Sequence, residues 1–214
     1  MNITKYLHSC IRIDDNGTSL LFDPGAYSFI ENKLKPADLP KADAVFITHQ
    51  HQDHFFPDVL KQIVTEDTKL YVPADVIQKL PDGLSGNLAM PGSELHINNT
   101  VITVVASQHG DMATQKPENA GYVINGRVYL PGDSVTVDIE NVEVLLLPIF
   151  SPWATVLDAL EFAKRIKPKL VIPIHDGYIK DFFLANMYEN VCRPALEKEG
   201  IELKILGLGE SVEV

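Results

Sequence analysis

The sequence predicts an α/β protein in which two β-sheets are sandwiched between helical layers. Short β-type runs alternate with turn signals, segments of helical periodicity lie between them, and both halves of the chain contain both kinds of segment. A sheet is stable when its apolar faces are covered, so two such halves favour sheet packed on sheet with helices outside. No linker rich in Pro, Gly and Ser interrupts the 214 residues, so we expect one domain over 1–214.

The N-terminal half supplies the first set of strands. "CIRID" and "SLLFD" flank "DNGT", whose Asn-Gly pair predicts a tight hairpin. "ADAVFIT" (42–48) is typical of a buried strand, and "KLYVP" and "VITVVAS" follow the same pattern. "FPDVLKQIVT" and "ADVIQKL" are short helix candidates.

The C-terminal half repeats this alternation. "GYVINGRVYLPGD" (121–133) predicts a hairpin turning at Asn125-Gly126, and "VEVLLLPI" predicts a strand buried on both faces. "TVLDALEFAKRIK" (155–167) is the clearest helix, with an apolar side of Leu157, Leu160, Phe162 and Ile166. We expect "KLVIPIH" to be a strand, followed by helix around 179–190 and a closing strand "IELKILG".

Composition and charge exclude several classes of partner. The formal net charge is −11, and the 18 Lys and Arg are scattered, so phosphate backbones and anionic membranes are disfavoured. The N-terminus lacks a signal-peptide pattern, and no apolar run approaches the ~20 residues that cross a bilayer. Cys10 and Cys192 form no disulfide framework and are interpreted as small buried apolar residues, although a bridge between them stays open. We therefore expect a cytoplasmic protein.

One short stretch carries ligand-type side chains at close spacing. "THQHQDH" (48–54) begins where the strand "AVFIT" ends and contains His49, His51, Asp53 and His54. His49 and His51 are two residues apart, so in extended backbone they project to the same side. Imidazole and carboxylate are natural ligands of zinc, and also of manganese or iron. The stretch therefore predicts part of a metal site.

The remaining ligands are expected at other strand ends. His109 follows "VITVVAS", Asp133 closes "RVYLPGD" and His175 ends "KLVIPIH". Residues that are distant in sequence meet where strands end at one edge of a sheet. Any one of the three alone would be interpreted as a solvated loop residue, but their recurrence beside the histidine cluster favours a shared site.

These motifs resemble those of the metallo-β-lactamase superfamily. "THQHQDH" matches its His-x-His-x-Asp-His motif, and the three downstream residues fall in the expected order. "LHSC", "SQHG", "PGDS" and "PIHDG" are most similar to the ascorbate-phosphate lactonase-like branch of metal-dependent hydrolases. The resemblance implies a four-layer αββα sandwich with a two-metal site at one edge.

The resemblance also implies a role for each ligand. His49, His51 and His109 would bind one metal, Asp53, His54 and His175 the second, and Asp133 would bridge them. Two ions about 3.5–4 Å apart suit hydrolysis, because they hold both the attacking and the leaving oxygen, and an ion lowers the pKa of its bound water to near ~7. Asp53 would in addition orient the resulting hydroxide or take its proton.

Five further residues have weaker signals. Asp23 in "LFDPG" either holds the histidine loop from behind or only forms a turn, and His8 in "LHSC" is a candidate for substrate contact or proton transfer. His96 is interpreted as a surface residue. Trp153 is interpreted as a packing residue at the start of a helix, with a place near the rim of the site, as a platform for substrate, as the alternative. Tyr178 is a weak candidate for pointing into the site.

The leading hypothesis is a hydrolase that uses a dinuclear metal site and metal-bound hydroxide to cleave a small ester, lactone or phosphodiester. The expected cofactors are two divalent ions, zinc first, with manganese or iron as alternatives. A small molecule is the expected partner, without nucleic acid or membrane, and a homo-oligomer stays open. The alternatives are a nuclease or phosphodiesterase on nucleic acid, a flavodiiron-like redox protein and a non-catalytic metal-binding protein.

Overall fold

The computed structural model describes residues 1–214 and contains two seven-stranded sheets, each with parallel and antiparallel pairs. The first sheet, in the order β14-β1-β2-β3-β4-β5-β6, consists of β1 (Asn2–Lys5), β2 (Ile11–Asp15), β3 (Thr18–Phe22), β4 (Ala44–Phe46), β5 (Lys69–Val72), β6 (Asn87–Leu88) and β14 (Glu210–Glu213). The second, in the order β13-β12-β11-β10-β9-β8-β7, consists of β7 (Glu94–Ile97), β8 (Thr100–Ala106), β9 (Ala120–Ile124), β10 (Val128–Leu130), β11 (Val144–Pro148), β12 (Leu170–Ile174) and β13 (Glu202–Leu203).

The helices are short and lie between the strands along the chain. The α-helices are α1 (Pro57–Ile63), α2 (Ala74–Ile77), α3 (Val156–Ile166), α4 (Asp181–Met187) and α5 (Arg193–Glu197). Two 3₁₀ turns cover Ala26–Ser28 and Pro36–Asp38, and a π-helical turn, Tyr188–Cys192, joins α4 to α5. No helix is both long enough and apolar enough to span a bilayer.

Three apolar clusters define four layers. The largest, 22 buried residues, lies between the sheets and joins residues such as Phe46 of β4 to Tyr122 of β9. A second cluster packs α3 and α5 on the outer face of the second sheet, and a third packs α1 and α2 on the outer face of the first. The αββα sandwich expected from the sequence is confirmed.

Both predicted hairpins are present. β2 pairs antiparallel with β3, and the two residues between them, Asn16 and Gly17, have φ values of 48° and 79°. β9 pairs with β10 across Asn125 and Gly126, which have φ values of 49° and 66°. Consecutive left-handed residues give a turn whose twist matches the flanking strands, which explains the Asn-Gly pairs. The first loop has two residues, whereas in the second Arg127 also lies between the paired residues Ile124 and Val128.

Helix α3 agrees with its prediction in extent but not fully in its buried face. Thr155 and Asp158 form a reciprocal cap at its start, in which the Thr155 hydroxyl accepts from the Asp158 amide and the Asp158 carboxylate from the Thr155 amide. Leu160, Phe162 and Ile166 are buried as predicted. The assignment of Leu157 to that face is wrong: its side chain is 68% exposed, because nine residues at about 100° each place it on the side of the helix opposite Ile166, whereas Val156 in the same turn packs against the cluster.

The C-terminal region is less regular than predicted. The helix expected around 179–190 is α4 followed by the π-helical turn, and the strand expected from "IELKILG" pairs only over Glu202–Leu203. The π-helical turn buries Tyr188, whose hydroxyl donates to Asp176 at 2.7 Å. Lys5 donates to the same carboxylate from β1, so the segment after β12 is held from two sides.

Candidate metal centre

The segments after β4, β8, β10 and β12 meet at one edge of the sandwich, and they carry the seven predicted ligands. The first sheet contributes the histidine loop after β4, and the second contributes the residues after the other three strands. Potential ligand atoms of His49, His51, His109 and Asp133 all lie within 4.8 Å of one another, and so do those of His8, Asp53, His54 and His175. The site is therefore formed between the two sheets.

The first group is centred on three imidazole nitrogens. His51 Nδ1 lies 3.0 Å from His49 Nε2 and 3.2 Å from His109 Nε2. Asp133 Oδ2 faces the same space, 3.6 Å from His49 Nε2 and 3.4 Å from His109 Nε2. His49 and His109 are buried, whereas His51 is half-buried and faces outward.

The second group surrounds Asp53. Its Oδ2 lies 3.6 Å from His54 Nε2 and 3.5 Å from His175 Nε2. Asp133 Oδ1 approaches the same two nitrogens, at 3.1 and 3.2 Å. The two oxygens of Asp133 thus face different groups, Oδ2 the first and Oδ1 the second.

Four of the imidazoles are held through Nδ1, so that Nε2 points into the site. His54 Nδ1 lies 2.8 Å from Asp23 Oδ2, and His49 Nδ1 lies 3.0 Å from the Thr48 hydroxyl, which itself donates to Asp23. His109 and His175 point Nδ1 at backbone carbonyls, those of Gly110 and Phe150. With the Nδ1 proton donated outward, the Nε2 lone pair of a neutral ring is available to a cation.

Buried atoms without partners test whether a cation fits. His54 Nε2, His175 Nε2 and Asp133 Oδ1 are buried and have no hydrogen-bond partner. Buried polar atoms are almost always satisfied, and these three share one space. A cation there would satisfy all three, and nitrogen and carboxylate donors are what zinc, manganese or iron accept. The residues therefore fit a metal ion.

Electrostatics agree with this fit. Burial alone would lower the pKa of His54 and of His175, but Asp133 raises the pKa of His175 to about 9 and, with Asp23, that of His54 well above its ordinary value. Burial and the neighbouring His54 hold the pKa of His49 well below its ordinary value. The carboxylates thus attract positive charge into the second group, which a bound metal cation would supply in place of protons.

His8 is buried beside the second group. Its Nδ1 accepts the backbone N–H of Gly177 at 3.1 Å, so a neutral ring carries its proton on Nε2, which lies 3.1 Å from Asp53 Oδ2. Burial lowers the pKa of His8 to about 4, although the bond to Asp53 acts in the opposite direction. The side chain is 0% exposed, so His8 meets Asp53 rather than solvent, and its catalytic role stays a prediction.

The weaker candidates lie in different places. Asp23 is fully buried and accepts from the Thr48 amide, the Thr48 hydroxyl and His54, which is the supporting position considered for it. His96 is exposed on β7. Tyr178 is 44% exposed, and its ring centroid lies 5.8 Å from that of His175.

Trp153 contacts the centre, which the sequence reasoning missed. Its indole N–H donates to Asp133 Oδ2 at 2.9 Å, and its ring centroid lies 5.7 Å from that of His109. Like the ligands, it follows the end of a strand, here β11, and that position was the available signal.

Comparisons with known proteins agree with the fold and the site. The model of the β-lactamase superfamily domain matches residues 2–175. The chain is 28% identical over 186 residues to protein Rv0786c of Mycobacterium tuberculosis, covering 84% of this chain and 85% of that protein. It is 27% identical over 230 residues to UPF0173 metal-dependent hydrolase MJ1163 of Methanocaldococcus jannaschii, covering 99% and 100%.

A solved structure shares the whole fold. Igni18, a novel metallo hydrolase from Ignicoccus hospitalis, superposes with a TM-score of 0.70 at 23% identity, covering 99% of this chain and 97% of that one. At that identity the likeness is one of fold. From the match over most of its length, the chain belongs to the β-lactamase superfamily, and it has the metallo-β-lactamase fold.

Proposed function

We propose that the protein hydrolyses a small ester, lactone or phosphodiester at a dinuclear centre, with residues 1–214 acting as one domain. The main support for this proposal is the orientation of the Asp133 carboxylate: its Oδ2 faces the first group and its Oδ1 faces the second. One carboxylate shared by two sets of nitrogen donors is what a pair of adjacent cations requires. The proposed ligands are His49, His51 and His109 for one ion, Asp53, His54 and His175 for the other, and Asp133 for both.

Bound there, two divalent ions, in first place zinc, would activate water and polarise the bond to be cleaved. The protein's own residues would orient the reactants and move the proton. Asp53 is the most accessible carboxylate of the centre, with an 18% exposed side chain against 3% for Asp133. The Asp53 carboxylate would take the proton of the attacking water, while the Nε2 proton of His8 would hold its Oδ2 in place.

The surroundings favour a small substrate. A cavity of about 660 Å³ adjoins His109 and is lined in part by Leu88, Met90 and Pro91. Its volume lies within the range of about 300–1,000 Å³ that small-molecule sites occupy. The net charge of −11 gives no basic track for nucleic acid.

The test combines metal analysis with an activity screen. We expect about two ions per purified chain, and turnover on a panel of lactones, thioesters and bis-nitrophenyl phosphate with Zn²⁺ and Mn²⁺ added separately. His51→Ala and Asp133→Asn should each lose metal and turnover, whereas His96→Ala, which removes an exposed histidine of β7 that belongs to neither group, should keep both. Protein that binds no divalent metal and stays inactive when metal is added would refute the proposal.

A further inference from the structure

Trp153, the one tryptophan of the chain, makes a bond that its packing alone does not explain. Along the chain, Trp153 lies between β11 and α3. Its side chain is half-buried, and Nε1 donates to Asp133 Oδ2 at 2.9 Å. Gly110 makes room for the ring, because a Cβ at that position would lie 2.1 Å from Trp153 Cε3. The indole is thus held in place by contact on one side and by a hydrogen bond on the other.

The rotation of the Asp133 carboxylate needs such a bond. The terminal torsion of an aspartate is broad, so the side chain alone does not fix which way its oxygens point. Oδ1 has no hydrogen-bond partner, and the backbone bonds of Asp133, from its N–H to Asn119 and from Gly110 to its carbonyl, do not fix the rotation of the carboxylate. Trp153 makes the one hydrogen bond to this carboxylate from outside the two groups.

We propose that Trp153 is a positioning residue, which sets the rotation of the Asp133 carboxylate so that one oxygen serves each metal group. This inference rests on the proposed ligand role of Asp133. Without the indole N–H, the carboxylate loses the one hydrogen bond from outside the two groups that sets its rotation. Loss of a residue that orients a ligand typically weakens metal binding about 10–100-fold, and we expect a loss of that size.

The first experiment needs no metal. Protein labelled with ¹⁵N-tryptophan gives a single indole N–H signal, since there is one tryptophan. We expect this signal to exchange slowly with solvent and to move in Asp133→Asn, but to stay in place in Asp111→Asn, which removes an exposed carboxylate that lines the same cavity as Trp153. An indole N–H signal that keeps its position in Asp133→Asn would overturn the proposal.

The second experiment measures metal affinity by competition with a chromogenic chelator. Global replacement of tryptophan by β-(3-benzothienyl)alanine puts sulfur in place of the N–H at nearly constant shape, and 7-azatryptophan keeps the N–H. We expect Zn²⁺ affinity to fall about 10–100-fold with the first and to stay within a factor of about three with the second. Trp153→Phe should match the sulfur analogue. Gly110→Ala should do so as well, since its methyl group displaces the ring.

The outcomes separate the two proposals. Native affinity in the sulfur analogue would overturn the role of Trp153 while leaving the dinuclear centre intact. Native protein that binds no metal would refute the proposed function, and the indole signal would still decide whether Trp153 bonds Asp133. Circular dichroism of each variant identifies any loss that is due to misfolding.

Discussion

Replacing Asp23 by asparagine should change which nitrogen of His54 carries the proton. In the native protein the buried carboxylate accepts from the Thr48 amide at 2.8 Å, the Thr48 hydroxyl at 2.7 Å and His54 Nδ1 at 2.8 Å. The asparagine side chain in Asp23→Asn would keep one oxygen for the amide and place its NH₂ group toward the other two. The Thr48 hydroxyl can turn and accept, but an Nδ1–H of His54 cannot. His54 therefore either loses this bond or moves its proton to Nε2.

The lost hydrogen bond and the moved proton each have a measurable effect. A hydrogen bond to a charged group contributes about 1.5–3 kcal/mol, so Asp23→Asn should lower the free energy of unfolding by about that amount in urea titrations. A proton on Nε2 occupies the lone pair aimed at the centre, so metal affinity should fall about 10–100-fold in chelator competition. In serine proteases, replacing the buried aspartate of the catalytic triad by asparagine likewise gives the wrong tautomer of the histidine.

Asp43→Asn is the matched control. Asp43 accepts from the Ser19 amide at 2.7 Å, at the start of β4 and away from the centre. Asp43→Asn should lower the free energy of unfolding but leave the metal affinity unchanged. Native metal affinity in Asp23→Asn, measured on folded protein, would refute the tautomer reasoning.

Three further predictions concern packing, thiols and metal removal. Gly25→Ala would place a Cβ 1.9 Å from the backbone oxygen of Asp53, so we expect the free energy of unfolding in urea to fall by about 1–3 kcal/mol and metal binding to weaken. Gly207→Ala is the control: its Cβ would meet nothing closer than 3.4 Å, so its stability should be close to native. Cys10 and Cys192 are buried and unpaired, and burial raises the pKa of both thiols, that of Cys192 to about 11. Neither thiol should therefore react with Ellman's reagent at pH 8 until urea is added. Rapid labelling of the folded protein would contradict this packing. Metal-free protein should melt at a lower temperature, and free metal at 100 times its Kd should restore about 2.7 kcal/mol for each ion bound. A melting temperature that does not change with metal would argue against binding to the folded state.

The meeting of the seven proposed ligands at one edge could be predicted from the sequence because two local rules apply to them. His49 to His54 are close in the chain, and the other three follow strands that end at a common edge. The support around them could not be predicted in the same way. His109 and His175 are held by backbone carbonyls, which any sequence supplies, so no residue type marks them.

Side-chain placement beyond a strand end also escapes pattern reasoning. The position of Trp153 just before the clearest helix favours a packing role, and only the tertiary arrangement brings its N–H to Asp133. Leu157 is apolar and lies three residues before Leu160, but about 180° around the helix from Ile166, so the angular position of each residue has to be worked out before it is assigned to the buried face. The period predicts a face, whereas the packing partner decides how much of it is buried.

The position of the centre between the two sheets has a consequence for motion. The histidine loop belongs to one sheet and the residues after β8, β10 and β12 to the other, so a bound cation links two parts that otherwise meet mainly through apolar contacts. Sliding of one sheet over the other would pull the two ligand sets apart. The rate at which metal leaves would then report how often the sandwich opens, and hydrogen exchange in the inner strands should slow when the cation is bound.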